Sequence, residues 1–504
     1  MKYALLSVTD KTGISNFAKE LVDRGYKLLS TGGTMRAIEE AGVPVENISA
    51  YTNFPEMLDG RVKTLHPKVH GGLLYRRDLE DHIQTVKEHG IESIDVVVCN
   101  LYDFEGHLAK KAPHAEMIEN IDIGGPSMIR SAAKNYAAVY VLTDPEDYQE
   151  ALDAMDGKID DLALREKLAM KAFSTTAYYD AMISRYMQKK VGEKANTLTF
   201  GLKKVSDLRY GENPHQKAAR YRDPMADSYY ASIHQYQGKE LSFNNLNDLN
   251  TALELAMEFK NPACVALKHA TPCGVACGEN IYDAYEKAFE ADSLSIFGGV
   301  VAFNGEVDGK TAEKMVEIFL EVVAAPSYTQ EALEVFKKKP NLRVLSFDAT
   351  KETASVDIKY TSGDFIIQEK DKLSHKEWEV VTKRQPSEEE IKDLEFGEMV
   401  CKYARSNAVV VVKDGKTLGI GGGQTSRIWA LESILTHHKD RDFKGAVMAS
   451  DAFFPFDDCV KLAAKMGITA IVQPGGSIRD KDSIEGCDQA DMAMVFTNTR
   501  HFRH

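Results

Sequence analysis

Two short apolar runs open the chain, each closed by a small polar loop and followed by an amphipathic stretch, and they constrain its fold more than any other feature. Tyr3 to Val8 ends in Thr9-Asp10-Lys11-Thr12-Gly13 and leads into Ile14 to about Arg24. Tyr26 to Leu29 ends in Ser30-Thr31-Gly32-Gly33-Thr34 and leads into a helix to about Ala41. Strand, loop and helix in alternation is the grammar of an open α/β sheet, with ligand-carrying loops at the carboxyl ends of its strands. Ile94 to Val98 and Val139 to Leu142 read as further strands, and 161–190 as strongly helical. The stretch 191–199, with Gly192 and Asn196, reads as a boundary. A first domain over 1–195 is expected.

Its loops carry polar chemistry. Ser, Thr and Gly at a helix start offer hydroxyls and N–H groups to a phosphate, and serve equally as ordinary N-caps. No GxGxxG or GxxxxGK[ST] pattern accompanies them. Arg61, Lys63, His66, Lys68 and His70 crowd one glycine-bracketed stretch, a candidate anion site or a solvated basic loop. Asn100, Tyr102 and Asp122-Ile123-Gly124-Gly125-Pro126 follow, then a helix carrying Arg130 and Lys134.

At 504 residues the chain requires two to four domains. A net charge of −14 argues against nucleic acid or an acidic membrane as partner, so an anionic substrate needs a locally cationic site. Seven thinly spread cysteines fit a reducing cytosol. The opening apolar run is too short for a signal peptide, and no run of 18 apolar residues occurs. A cytoplasmic protein is expected.

The second half is organised around Cys264-Val-Ala-Leu-Lys268-His269-Ala-Thr-Pro272-Cys273-Gly274. A buried strand should deliver Lys268 and His269 to its end and turn at Thr271-Pro272. A lysine and a histidine in one cleft suit proton transfer at nitrogen. Pro272-Cys273 and Cys277 resemble the Pro-Cys-x-x-Cys of zinc deaminases, but the spacing here is C-x3-C and the His-x-Glu at His114-Ala-Glu116 lies far upstream. Arg209-Tyr210 in a polar turn, Gly298 within Phe-Gly-Gly, a glycine-rich loop over 415–427 and Phe453-Phe454-Pro455-Phe456 complete the set. The last could sandwich a flat heterocycle. The acidic stretch 386–393 suggests a further sub-domain from about 371.

SVTDKTG, STGGT, GRVKTLHPKVHGGLL, CNLY, IDIGGP and RSAAKN, in order, resemble the inosine monophosphate cyclohydrolase half of the bifunctional purine-biosynthesis family. RYGENPHQ, LKHATPCG, FGGVVA, SNAVVVVKDGKTLGIGGGQTSR, SDAFFPF and QPGGSIRD resemble its aminoimidazole carboxamide ribonucleotide (AICAR) transformylase half. The resemblance implies a methylglyoxal-synthase-like α/β domain, then two cytidine-deaminase-like α/β sub-domains without zinc, over 196–370 and 371–504. It implies that Thr9, Lys11, Thr31, Gly32, Gly33, Arg61, Lys63 and Thr64 hold phosphate and ribose. Asn100, Ile123 and Gly124 would contact the base, and Lys63, Tyr102, Asp122 and Lys134 would carry ring closure.

For formyl transfer it implies Lys268 and His269 as proton carriers and Asn407 at the formyl oxygen. Arg209, Tyr210, Asn245, Gly298, Ser426, Arg427 and Arg500 would bind the nucleotide, with Phe453, Pro455 and Asp458 near the folate. The co-substrate would be 10-formyltetrahydrofolate, with no catalytic metal. AICAR and its formylated product, FAICAR, would be the ribotides, and the chain a homodimer. Cys273, Gly422 and Asp457 depart from the family pattern.

Overall fold

The computed structural model describes residues 2–352, 354–372 and 378–504. They form two compact units, Met1–Lys203 with Tyr221–Met225, and Lys204–Arg220 with Ala226–His504.

The first unit is built on β1 (Lys2–Ser7), β2 (Lys27–Ser30), β3 (Glu46–Asn47), β4 (Ser93–Cys99) and β5 (Tyr140–Leu142), all parallel in the order β3-β2-β1-β4-β5. Central strands covered on both faces need continuous apolar sequence, and Ala4, Leu5 and Leu6 are wholly buried. The strand order reverses at β1, so the loops after β1 and β4 diverge there and leave a crevice at the strands' carboxyl ends. The long helix is Asp161–Val191, capped by the Asp160 carboxylate and ended at Gly192 with φ 79°.

The second unit contains an internal duplication. After a ribbon of β6 (Lys203–Leu208) and β7 (Ala218–Arg222), the first repeat supplies β8 (His234–Gln237), β9 (Ala263–Lys268), β10 (Thr271–Cys277), β11 (Val300–Phe303), β12 (Val322–Ala325) and β13 (Arg343–Ser346). A second ribbon, β14 (Val356–Thr361) with β15 (Asp364–Glu369), precedes the other repeat. This supplies β16 (Glu379–Val380), β17 (Val409–Lys413), β18 (Lys416–Gly421), β19 (Val447–Ser450), β20 (Ala470–Gln473) and β21 (Ala493–Phe496). Each repeat runs strand, helix, hairpin, helix, then three parallel strands joined by helices. The sheet orders β10-β9-β11-β12-β13-β8 and β18-β17-β19-β20-β21-β16 match strand for strand. Antiparallel pairing of β10 with β18 fuses them into one twelve-stranded sheet.

Alternation along the strands assigns the faces. Val265, Leu267, Val410 and Val412 join one core shared by both repeats. Cys264 and Ala266 face a core belonging to the first repeat, and Val409 and Val411 one belonging to the second. Helices Phe243–Ala256 and Glu388–Tyr403 cover the shared face, each starting at a capping box, Ser242 with Asn245 and Ser387 with Glu390.

Two sequence expectations are corrected. The chain turns at His269-Ala270, and Thr271-Pro272 begins the next strand. Proline's missing donor is tolerated because the register shifts between Pro272 and Gly274, leaving Cys273 as a bulge. Within the glycine-rich 415–427, Lys416–Gly421 is strand β18. A side chain on Gly421 would lie 2.0 Å from the Ala430 carbonyl oxygen and one on Gly419 2.3 Å from Ile434, so these glycines admit a helix, not a ligand. No helix among the described residues is long and apolar enough to cross a membrane.

A Cβ at Gly274 would sit 2.2 Å from the Ala288 carbonyl oxygen. Gly274→Ala is expected to cost about 1–3 kcal/mol by overpacking. Both tryptophans, Trp378 and Trp429, lie in this unit, so urea unfolding followed by tryptophan fluorescence reads the loss directly.

Candidate active sites

The crevice in the first unit is a cavity of about 620 Å³. Thr9, Lys11, Thr31, Gly32, Gly33, Arg61, Lys63, Thr64, Asn100, Tyr102, Asp122, Ile123 and Gly124 all line it. One end is built for an anion. Helix Gly32–Glu40 starts at Thr31 with no side-chain cap, so its first amides have no intrahelical acceptor. A methyl on Gly33 would lie 3.7 Å from Lys11 Nζ, so that cation sits over the same helix end. Gly32 has φ 48°, which favours glycine. Arg61 pairs with Glu119, which also lines the cavity and which the sequence reading missed. Both side chains are more than half exposed, so a phosphate could displace that carboxylate at little cost.

The other end carries proton chemistry. Asp122 Oδ1 accepts from the Gly125 amide at 2.8 Å, and Pro126 has no N–H, which leaves the Gly124 amide at this helix start for a ligand. Burial raises the Asp122 carboxyl above its ordinary range, against the hydrogen bonds from Gly125 and Tyr102 and the charge of Lys63. Burial, then the Asp122 charge, raises Tyr102 as well, so its hydroxyl stays a donor at neutral pH.

Three placements differ from expectation. Asn100 spends its side chain on the loop after β1: Oδ1 accepts from Thr9 N–H at 2.6 Å and Asp10 N–H at 3.0 Å, and Nδ2 donates to Asp10 O at 3.0 Å. Lys134 is exposed at the far end of helix Gly124–Lys134, about 15 Å of helix from Gly124, and is absent from the lining. The basic stretch is split. Lys68 reaches the Tyr51 carbonyl, and His70 meets Ser131 at 3.0 Å with its pKa lowered by burial.

In the second unit a cavity of about 350 Å³ gathers Arg209, Tyr210, Asn245, Lys268, His269 and Gly298. The sequence reading missed Asp248, Glu321 and Arg343, which line it too. Lys268 Nζ donates to the Phe297 carbonyl at 2.6 Å, beside Gly298 at φ 67°. His269 and Ala270 have φ 53° and 54°, which for residues with a Cβ costs on the order of 1 kcal/mol each. That conformation takes His269 out of strand alternation, so both basic side chains reach one cavity. Arg209 donates to the Tyr210 hydroxyl at 2.8 Å. Asn245 is a cap, its Oδ1 accepting from Ser242 N–H.

Asn407, Ser426, Arg427, Phe453, Pro455, Asp458 and Arg500 are absent from that lining. Asn407 Oδ1 accepts from Arg427 at 2.8 Å, and Arg427 pairs with buried Asp451 at 2.7 Å and donates to the Phe453 carbonyl at 3.3 Å. Ser426 is the residue before helix Arg427–His437. Phe453, Pro455 and Arg500 are exposed, and Asp458 caps the Cys459 amide. Three antiparallel steps, β9-β10-β18-β17, bring the end of β9 and the start of β17 to one sheet edge, about 14 Å apart at the usual strand spacing.

The family description "AICARFT/IMPCHase bienzyme" matches residues 132–437, and "MGS-like domain" matches 13–127. The bifunctional purine biosynthesis protein PurH of Clostridioides difficile (strain 630) is 53% identical over 508 residues, covering all of both chains. That of Thermoanaerobacter sp. (strain X514) is 52% identical over 509 residues, again covering both. The chain belongs to the AICARFT/IMPCHase bienzyme family. Among solved structures, the crystal structure of ForH is 36% identical, covering 36% of this chain and 97% of that one at a TM-score of 0.32.

Beside the Arg427–Asp451 pair lies His501, buried between Asp371 (2.7 Å) and Glu398 (3.6 Å). Burial lowers its pKa, but hydrogen bonds to the two carboxylates outweigh that and raise it to about 9. An unfolded histidine titrates near 6.5. Protonated His501 therefore stabilises the fold fully below pH ~6.5, and the contribution, on the order of 3 kcal/mol, is lost as pH rises through about 9. Between pH 6.5 and 9.5 the wild-type urea midpoint should fall more than that of His501→Gln; equal falls would contradict this.

Proposed function

We propose that the first unit's cavity closes the purine ring and the second unit's cavity transfers the formyl group. The activities follow from the family: this bienzyme of purine biosynthesis is an AICAR formyltransferase and an inosine monophosphate cyclohydrolase. The observation that carries the assignment is the separation of two cationic cavities, one with Lys63 and Asp122 and the other with Lys268 and His269, in an acidic chain.

In the first cavity the phosphate of FAICAR sits at the start of helix Gly32–Glu40 with Lys11 and Arg61. The carboxamide nitrogen attacks the formyl carbon of the same molecule, and holding the two groups together supplies much of the rate. Asp122, its pKa raised, accepts the amide proton. Lys63 and the Tyr102 hydroxyl stabilise charge on the formyl oxygen, which leaves as water. Lys134 has no role here that its position supports.

In the second cavity Arg209, Tyr210 and Arg343 hold the ribotide. Its 5-amino nitrogen attacks the formyl carbon of 10-formyltetrahydrofolate, the carbon–N10 bond breaks, and the proton lost by the amine is returned to N10. His269 carries it, with Lys268 at the developing charge. Each repeat reads as a cytidine-deaminase-like sub-domain, 196–370 and 371–504, with no metal in the reaction. Burial pushes the Cys273 and Cys277 thiols up to about 12, and Cys273 Sγ lies 3.4 Å from the Ala266 carbonyl, a packing role. The seven free cysteines suit a reducing, cytoplasmic setting.

Asn407, Arg427 and Phe453 lie outside the Lys268 cavity, which favours a homodimer in which one copy's second repeat completes the other's site. Lys63→Ala should lower cyclisation by roughly 10²–10³-fold and leave formyl transfer unchanged; equal loss of both in a folded chain would refute two separate sites. His269→Ala should lower formyl transfer by about two to four orders of magnitude, and a few-fold loss would make it structural. Co-expressed His269→Ala and Asn407→Ala chains should regain formyl transfer, because one site of the mixed dimer is wild type; no regain would place both residues in one chain's site.

A further inference from the structure

The duplication supplies a comparison inside one chain. A two-residue turn joins β9 to β10 at His269-Ala270 and β17 to β18 at Asp414-Gly415. All four residues have positive φ, at 53°, 54°, 53° and 67°. This is the pattern of the type I′ turn, for which Asp-Gly is a preferred pair. The second repeat has that pair. The first has His-Ala, which resists the conformation, so a contact outside the turn must hold it.

Both repeats contain such a contact at the same place. Six positions after each capping serine stands an aspartate, Asp248 after Ser242 and Asp393 after Ser387. Asp248 Oδ1 accepts from the Ala270 amide at 2.7 Å. Asp393 accepts from the Gly415 amide at 2.7 Å and the Asp414 amide at 2.8 Å. The lysine before each turn is matched too. Lys268 donates to the Phe297 carbonyl at 2.6 Å and Lys413 to the Lys444 carbonyl at 2.8 Å, each carbonyl preceding a glycine of positive φ, Gly298 and Gly445.

We propose that Asp248 is a positioning residue for formyl transfer: it clasps the turn and so holds His269 on the cavity wall beside Lys268. The proposal rests on the assignment of formyl transfer to that cavity. Asp393 is the same clasp on a turn that carries no histidine.

The test uses the full-length protein, with both activities measured on every variant. Asp248→Ala should lower kcat for formyl transfer by about 10²-fold, with KM for the ribotide nearly unchanged, as expected for a displaced proton carrier. Cyclisation should be unaffected. Asp248→Asn keeps an oxygen acceptor and should lose less than about tenfold. Ala270→Gly relieves the strained turn, so adding it to Asp248→Ala should restore kcat by about tenfold or more. A loss under about threefold in Asp248→Ala, or no recovery with Ala270→Gly, overturns the proposal. If Asp248→Ala does not fold, Asp and Ala at 248 are compared in the Ala270→Gly background. A difference below about tenfold supports the clasp, and a larger one overturns it. Wild-type protein that cyclises without transferring formyl would instead remove the assignment beneath the proposal, and the proposal with it.

Discussion

A single buried hydroxyl marks the constraint on which the second unit depends. Thr417 accepts from the Val275 amide at 3.1 Å and reaches the Val275 carbonyl at 3.3 Å, inside the antiparallel pairing of β10 with β18. That seam turns two repeats into one sheet and relates them by reversal. The turn of one repeat lies at one sheet edge and the turn of the other at the opposite edge. The start of β17, with Asn407 and Arg427 close by, comes to the edge where β9 delivers Lys268 and His269. Without the seam the shared core could not close, because the helices Phe243–Ala256 and Glu388–Tyr403 pack over apolar residues from both repeats.

The two cavities solve the same electrostatic problem differently. An acidic chain that must collect an anionic ribotide has to concentrate cations locally against its own field, and both cavities gather cationic side chains. The first unit does so with loops at a strand-order reversal, where an uncapped helix start adds its own partial charge. The second does so with side chains at a sheet edge, Lys268 on the strand and Arg343 from β13, and a turn held in a costly conformation. Strain of that kind persists where surrounding contacts over-determine it, and here they come from the helix beneath and the carbonyl alongside.

Much of this was legible in the sequence, and the misses have physical reasons. The strand–loop–helix grammar and the polar loops after β1, β2 and β4 follow from local periodicity; the fourteen residues of the first site are implied by the family resemblance, and thirteen of them line one cavity. Lys134, which the resemblance implies for ring closure, lies outside that lining at the far end of helix Gly124–Lys134, because a motif match does not reveal which end of a helix faces a crevice. The glycines of β18 do not distinguish a ligand loop from a strand under a helix, because glycine admits a helix carbonyl as readily as a phosphate. Pro272 was given the turn because a bulge can absorb a missing donor. The duplication is implied only by the family resemblance, with its two like sub-domains, because it is a pattern of long-range pairings between segments of unlike sequence that local periodicity does not show. Asp248 sits among the polar residues of a helix start and stands out only beside Asp393, which occupies the same place in the second repeat.

The central claim is that two separate pockets recognise related ribotides and act with their own side chains. Crystals of the full-length protein soaked with AICAR ribotide at saturating concentration test it most directly. Ribotide density is expected in both cavities, one against Lys63 and the start of helix Gly32–Glu40, the other against Lys268 and His269. A single occupied cavity, or ribotide bound away from both sets of residues, would contradict it.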